Sequence, residues 1–152
     1  MPSPPGFSIH QSGYWYKNAD QSGPYSFDGT YVVMATPSGI TSASSGNVAN
    51  ANAVATLAAV AGKTTFITGF EVTSGGATTA ALVTATVAGL LGGTASYTYG
   101  ASAGALLANT PLMVTFNPPL PASALNTAIV VTLPALGLGN TNATVAAHGY
   151  QI

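Results

Sequence analysis

The chain has 152 residues, and charged side chains make up 3% of them, against about 25% in ordinary soluble domains. Two lysines, no arginine and three acidic residues leave a formal net charge of −1, and Glu71 is the last charge before Ile152. Nucleic-acid binding is excluded because two lysines cannot neutralise a phosphate backbone, and little remains for acid–base catalysis.

The first region, 1–48, is rich in Gly, Ser, Pro and aromatic residues and carries Lys17, Asp20 and Asp28. Between Gly13 and Tyr31 lie Tyr14, Trp15, Tyr16, Tyr25, Phe27 and Tyr31, large rings in a segment with little aliphatic core of its own. Such rings give wide contact area at low entropy cost, and they are enriched where chains bind one another. The alternative is that they cap one end of the fold. A short strand is expected over 30–35, and Thr41-Ser42-Ala43-Ser44-Ser45-Gly46 reads as a flexible linker. The region is therefore read as an extended arm whose six aromatic residues contact a partner.

The second region, 49–152, changes to short β-branched runs between turn residues. Strands are expected near 52–60, 64–73, 79–89, 94–99, 112–117, 127–134 and 141–150, although the alanines of 51–61 also suit a short helix. Phe66, Phe70 and Val72 are expected on one face of their strand with Glu71 on the other. Ser74-Gly75-Gly76, Gly92-Gly93, Asn117-Pro118-Pro119 and Gly137-Leu138-Gly139-Asn140 read as turns. Eight short strands predict an all-β, antiparallel β-sandwich, of jelly-roll type, with the arm extending from it.

Met1-Pro2-Ser3-Pro4-Pro5-Gly6 lacks a basic stretch and an apolar stretch, so no secretion signal is expected there. The most apolar window, Thr78 to Gly93, holds too many Thr and Gly residues to serve as a spanning helix of about 20 apolar residues, and no membrane partner is expected. Cysteine is absent, which removes disulfides and thiolate metal sites. Near-zero net charge favours association, and a homotrimer is expected.

Catalytic constellations are thin. His10 and His148 are the only histidines, and neither adjoins a Gly-x-Ser-x-Gly pattern. His148 is expected on the strand face shared with Thr144 and Ala146. Asp20, Asp28 and Glu71 are the only carboxylates available for a glycosidase pair or a calcium site, and the first two suit turn hydrogen bonds better. Asn142-Ala143-Thr144 matches the glycosylation sequon. No catalytic residue, cofactor or metal is assigned.

The segments Lys63 to Val72, Phe116 to Ser123 and Gly139 to Tyr150 resemble small β-rich virion structural proteins of tailed bacteriophages. That resemblance implies a non-enzymatic capsid decoration or head-fibre subunit on the virion exterior, assembled in the host cytoplasm, with the major capsid protein or another virion protein as partner. The alternative is a receptor- or carbohydrate-binding module of a tail fibre or surface appendage. A binding module should show an exposed aromatic platform on the sandwich, whereas a decoration subunit should hide its rings against a partner.

Overall fold

The computed structural model describes residues 7–9, 15–17, 39–105, 108–137 and 141–152, and every regular element among them is a strand. The chain divides into two compact units, Met1–Thr36 and Pro37–Ile152. In the first, β1 (Phe7–Ile9) and β2 (Trp15–Lys17) pair antiparallel, with Phe7 opposite Lys17 and Ile9 opposite Trp15.

The second unit contains β3 (Ile40–Ser44), β4 (Val48–Ala49), β5 (Ala53–Leu57), β6 (Thr65–Gly75), β7 (Ala81–Ala88), β8 (Ala95–Ala101), β9 (Leu112–Pro121), β10 (Ile129–Leu133) and β11 (Asn142–Gln151). They build two antiparallel sheets, one of four strands in the order β5-β10-β7-β8 and one of five in the order β3-β11-β6-β9, where β4 also pairs with β11. With the short β4 set aside, the pairing is nested: β3 lies beside β11, β5 beside β10, β6 beside β9 and β7 beside β8.

Alternation in the sequence sets which side of each strand enters the core. In β10, Ile129, Val131 and Leu133 are buried, while Val130 and Thr132 are half-buried on the outer face. In β5, Ala53, Ala55 and Leu57 point inward, so this alanine-rich segment is a strand and not a helix. Phe70 is buried between the sheets, edge-on to Tyr97 at 5.2 Å and tilted against Phe116 at 6.3 Å. Buried polar atoms are paired as well. Asn109 donates from Nδ2 to Ser74 Oγ at 2.8 Å, and Ser74 Oγ is in turn 2.8 Å from the Tyr99 hydroxyl.

Two sequence expectations are corrected. Thr41 to Gly46 is not a linker: β3 occupies Ile40–Ser44 and pairs with β11 over Ile40–Tyr150 to Ser44–Ala146. As an edge strand it is covered on one side only, so Ser and Thr suffice where a central strand needs Val or Ile. The strands of the second unit thus begin at Ile40, ahead of the 48/49 boundary drawn from composition. Asn117-Pro118-Pro119 is likewise not a turn but lies within β9, the other edge of the same sheet. Proline, having no N–H to donate, is tolerated at an edge or a bulge. The strand expected over 30–35 falls outside the described residues.

A third correction comes from a bulge. Thr65 and Ile67 face inward along β6, but then Phe70 and Val72 face inward too, with both Thr68 and Gly69 between Ile67 and Phe70, so the alternation slips by one residue. Against β11 the register runs His148–Gly69 and then Gly149–Ile67, leaving Thr68 as the extra residue, and the register with β9 breaks at the same place. The Thr68 hydroxyl donates to the His148 carbonyl at 3.0 Å across this irregularity. Phe66 therefore points to the outer face, opposite to Phe70 and Val72. Glycine is required on both sides of the bulge. A Cβ on Gly69 would sit 2.5 Å from the Val114 carbonyl oxygen, and one on Gly149 would collide with the carbonyl of Phe66.

Candidate binding face

Of the six aromatic residues expected to meet a partner, Tyr14, Tyr25, Phe27 and Tyr31 lie outside the described residues. Trp15 and Tyr16 belong to β2, where their backbones pair with Ile9 and Ser8. His10, Asp20 and Asp28 also fall outside the described residues.

The five-stranded sheet supplies a different constellation. Its outer face is ordered in cross-strand rows by the register. One row runs Ser44, Ala146, Glu71, Met113, and a parallel one runs Ile40, Tyr150, Phe66, Pro121. Between them, Ser42, His148 and Thr115 align across Gly69. His148 shares its face with Thr144 and Ala146, as its position in the strand predicts.

Glu71 and His148 meet diagonally across β6 and β11, with Nε2 3.4 Å from Oε1 and about half of each side chain open to solvent (49% and 47%). Even with the imidazole protonated, an ion pair at that exposure contributes about 0–1 kcal/mol, so its interest is chemical rather than energetic. Glu71 reaches this face only because of the bulge. With strict alternation from Thr65 it would point into the core and Phe70 and Val72 would point out. Bulges commonly re-aim a side chain in this way beside functional sites.

Around the pair, Thr68, Gly69, Phe70, Met113, Val114 and Thr115 complete a shallow depression of about 240 Å³. Met113 stands 72% exposed at its rim. One row away, the rings of Phe66 and Tyr150 stack in parallel, 5.1 Å apart and 6° from coplanar orientation, beside the 91% exposed Ile40. The arrangement offers one carboxylate, one imidazole, neighbouring hydroxyls and an apolar strip. Among the described residues no three His, Cys, Asp or Glu side chains gather to hold a metal ion. No helix among them is long and apolar enough to cross a membrane.

Sequence reasoning placed Glu71 opposite Phe70 and Val72 and His148 on the face of Thr144 and Ala146, but missed their meeting, along with the pairing of Phe66 with Tyr150. The lone glycine inside Thr68-Gly69-Phe70 was the available signal, since an isolated strand glycine marks a bulge or a close backbone approach.

Comparison of the chain with protein-family models, with curated proteins and with solved structures gives no match.

Proposed function

We propose that this chain is a non-enzymatic structural protein of a tailed-phage virion, a capsid decoration subunit that docks on the capsid exterior as a homotrimer. The observation that carries this reading is a two-sheet sandwich, Pro37–Ile152, whose only formal charges are Lys63 and Glu71. A surface of hydroxyls, small apolar groups and two opposed charges is poorly equipped for most catalysis and well suited to repeated packing. The nested strand order supports the reading further, because a long hairpin rolled in this way is the winding of a jelly roll, an architecture common in viral coats. Fold alone does not fix function, and the sequence resemblance supplies the assignment to a virion.

In this reading Tyr14, Trp15, Tyr16, Tyr25, Phe27 and Tyr31 form the contact with the major capsid protein. The test is occupancy of purified capsids by the full chain, washed at low and high salt. Screening shortens from about 10 Å at 0.1 M to about 3 Å at 1 M, so contacts between exposed charges weaken over that range while apolar ones do not. Attachment that survives 1 M salt, and that Trp15→Ala weakens far more than Lys17→Ala, is the expected result, since a buried aromatic anchor is worth about 2 kcal/mol or more. Failure of the wild-type protein to bind capsids, or its release by salt, overturns the assignment.

A further inference from the structure

The two sheets present different outer faces, and one of them carries chemistry that docking on a capsid does not use. On the five-stranded sheet, the sandwich's only carboxylate and its only imidazole converge at 3.4 Å in a surface depression, beside a stacked pair of rings. We infer that this face is a binding site for a neutral oligosaccharide. The inference rests on the sandwich alone and stands whether or not the protein belongs to a virion.

The chemistry of the site selects this ligand. Glu71 accepts hydrogen bonds through two oxygens, which matches the paired hydroxyls of a sugar ring. His148 in its neutral form offers one donor and one acceptor, and Thr115 adds a hydroxyl on the neighbouring strand. The volume of about 240 Å³ lies below the roughly 300–1,000 Å³ of pockets that enclose drug-sized ligands, and it suits one ring lying on the surface. Phe66 and Tyr150, one row along, extend the site with an apolar strip for the C–H face of a second ring. Charge decides against acidic sugars. The chain has no arginine, and Glu71 repels a carboxylate or phosphate placed beside it.

The experiment is an NMR titration of the full, amide-labelled chain with neutral oligomers of glucose, galactose, mannose and N-acetylglucosamine, and with oligogalacturonate as the acidic probe. At least one neutral probe should bind at millimolar concentration or below and shift the amide signals of Gly69, Val114 and His148. Glu71→Gln, exposed and of the same shape, should weaken that binding at least tenfold, about 1.4 kcal/mol. Met113→Ser should weaken it by a smaller factor, and Leu82→Ser, on the opposite sheet, should leave it unchanged. Absence of binding by every neutral probe, shifts confined to β7 and β8, preference for oligogalacturonate, or wild-type affinity in Glu71→Gln overturns the inference.

Discussion

The two sheets share one core but turn contrasting faces outward. Across the four-stranded sheet a single row reads Val54, Thr132, Thr86, Ser96, and no formally charged residue lies on any of its strands. Leu82 stands 80% exposed on this side, in register with Gly100. That sheet keeps uninterrupted pairing between β7 and β8 over Ala81–Ala101 to Val87–Ala95. The five-stranded sheet breaks its alternation at Thr68, and the break brings Glu71 out beside His148. Regular pairing yields a uniform face, and one extra residue is enough to give the other face a distinct chemical centre.

The comparison is broken most severely through what the sheets share. Phe70→Ala empties the space between Tyr97 and Phe116, and a loss of about 3–5 kcal/mol is expected in urea unfolding. A smaller loss would mean that the sheets collapse onto the gap. Next comes the bulge itself. Gly149→Ala forces a methyl group against the Phe66 carbonyl and should cost about 1–3 kcal/mol, as overpacking does. Crystallography of that variant shows whether β6 and β11 shift register in response, and an unchanged structure at wild-type stability would refute the need for glycine there. Asn109→Ala leaves the hydroxyls of Ser74 and Tyr99 to re-pair and removes the acceptor of the Ser102 amide, for about 1–3 kcal/mol by the same unfolding assay.

The outer faces should respond far less. Leu82→Ser is expected to stay within about 0.5 kcal/mol of the parent, because a well-exposed leucine contributes little to the folded monomer. Sedimentation of the same variant sharpens the contrast: a change in association without a change in stability would mark the four-stranded face as a contact between copies. Glu71→Gln should also change stability little, by at most about 1 kcal/mol, the upper range of an exposed ion pair.

Much of the sandwich was legible because its strands obey period two. Leu112, Val114 and Phe116 face the core, with Met113 and Thr115 outside, as their alternation predicts. Edges were harder to read. Ile40–Ser44 forms a strand from residues that also compose linkers, because a strand covered on one side needs no run of large aliphatics. The site was half legible for a related reason. Composition isolates Glu71 and His148 as the sandwich's carboxylate and imidazole, but they are separated by most of the domain in sequence. Only the register of β6 on β11, bulge included, brings them together, and register is fixed by cross-strand packing that local pattern does not encode.

The nested pairing also governs when this protein can take shape during its own synthesis. The first strand of the sandwich, β3, has β11 as its ladder partner, and β5 has β10. A ribosome must therefore deliver β10 and β11 before the outer layers of the nest can close. Only the innermost pair, β7 with β8, is local enough to form early. Folding dominated by such distant pairings is slow, on the order of milliseconds to seconds. Until β10 and β11 emerge, β5 and β3 wait with exposed edges that neighbouring nascent copies on a polysome can reach. A chain almost without charge has little electrostatic repulsion to keep those copies apart in the interval. Its hydroxyl-rich edge at Thr41, Ser42 and Ser44, poor in the apolar residues that drive strand aggregation, supplies the protection that charge does not.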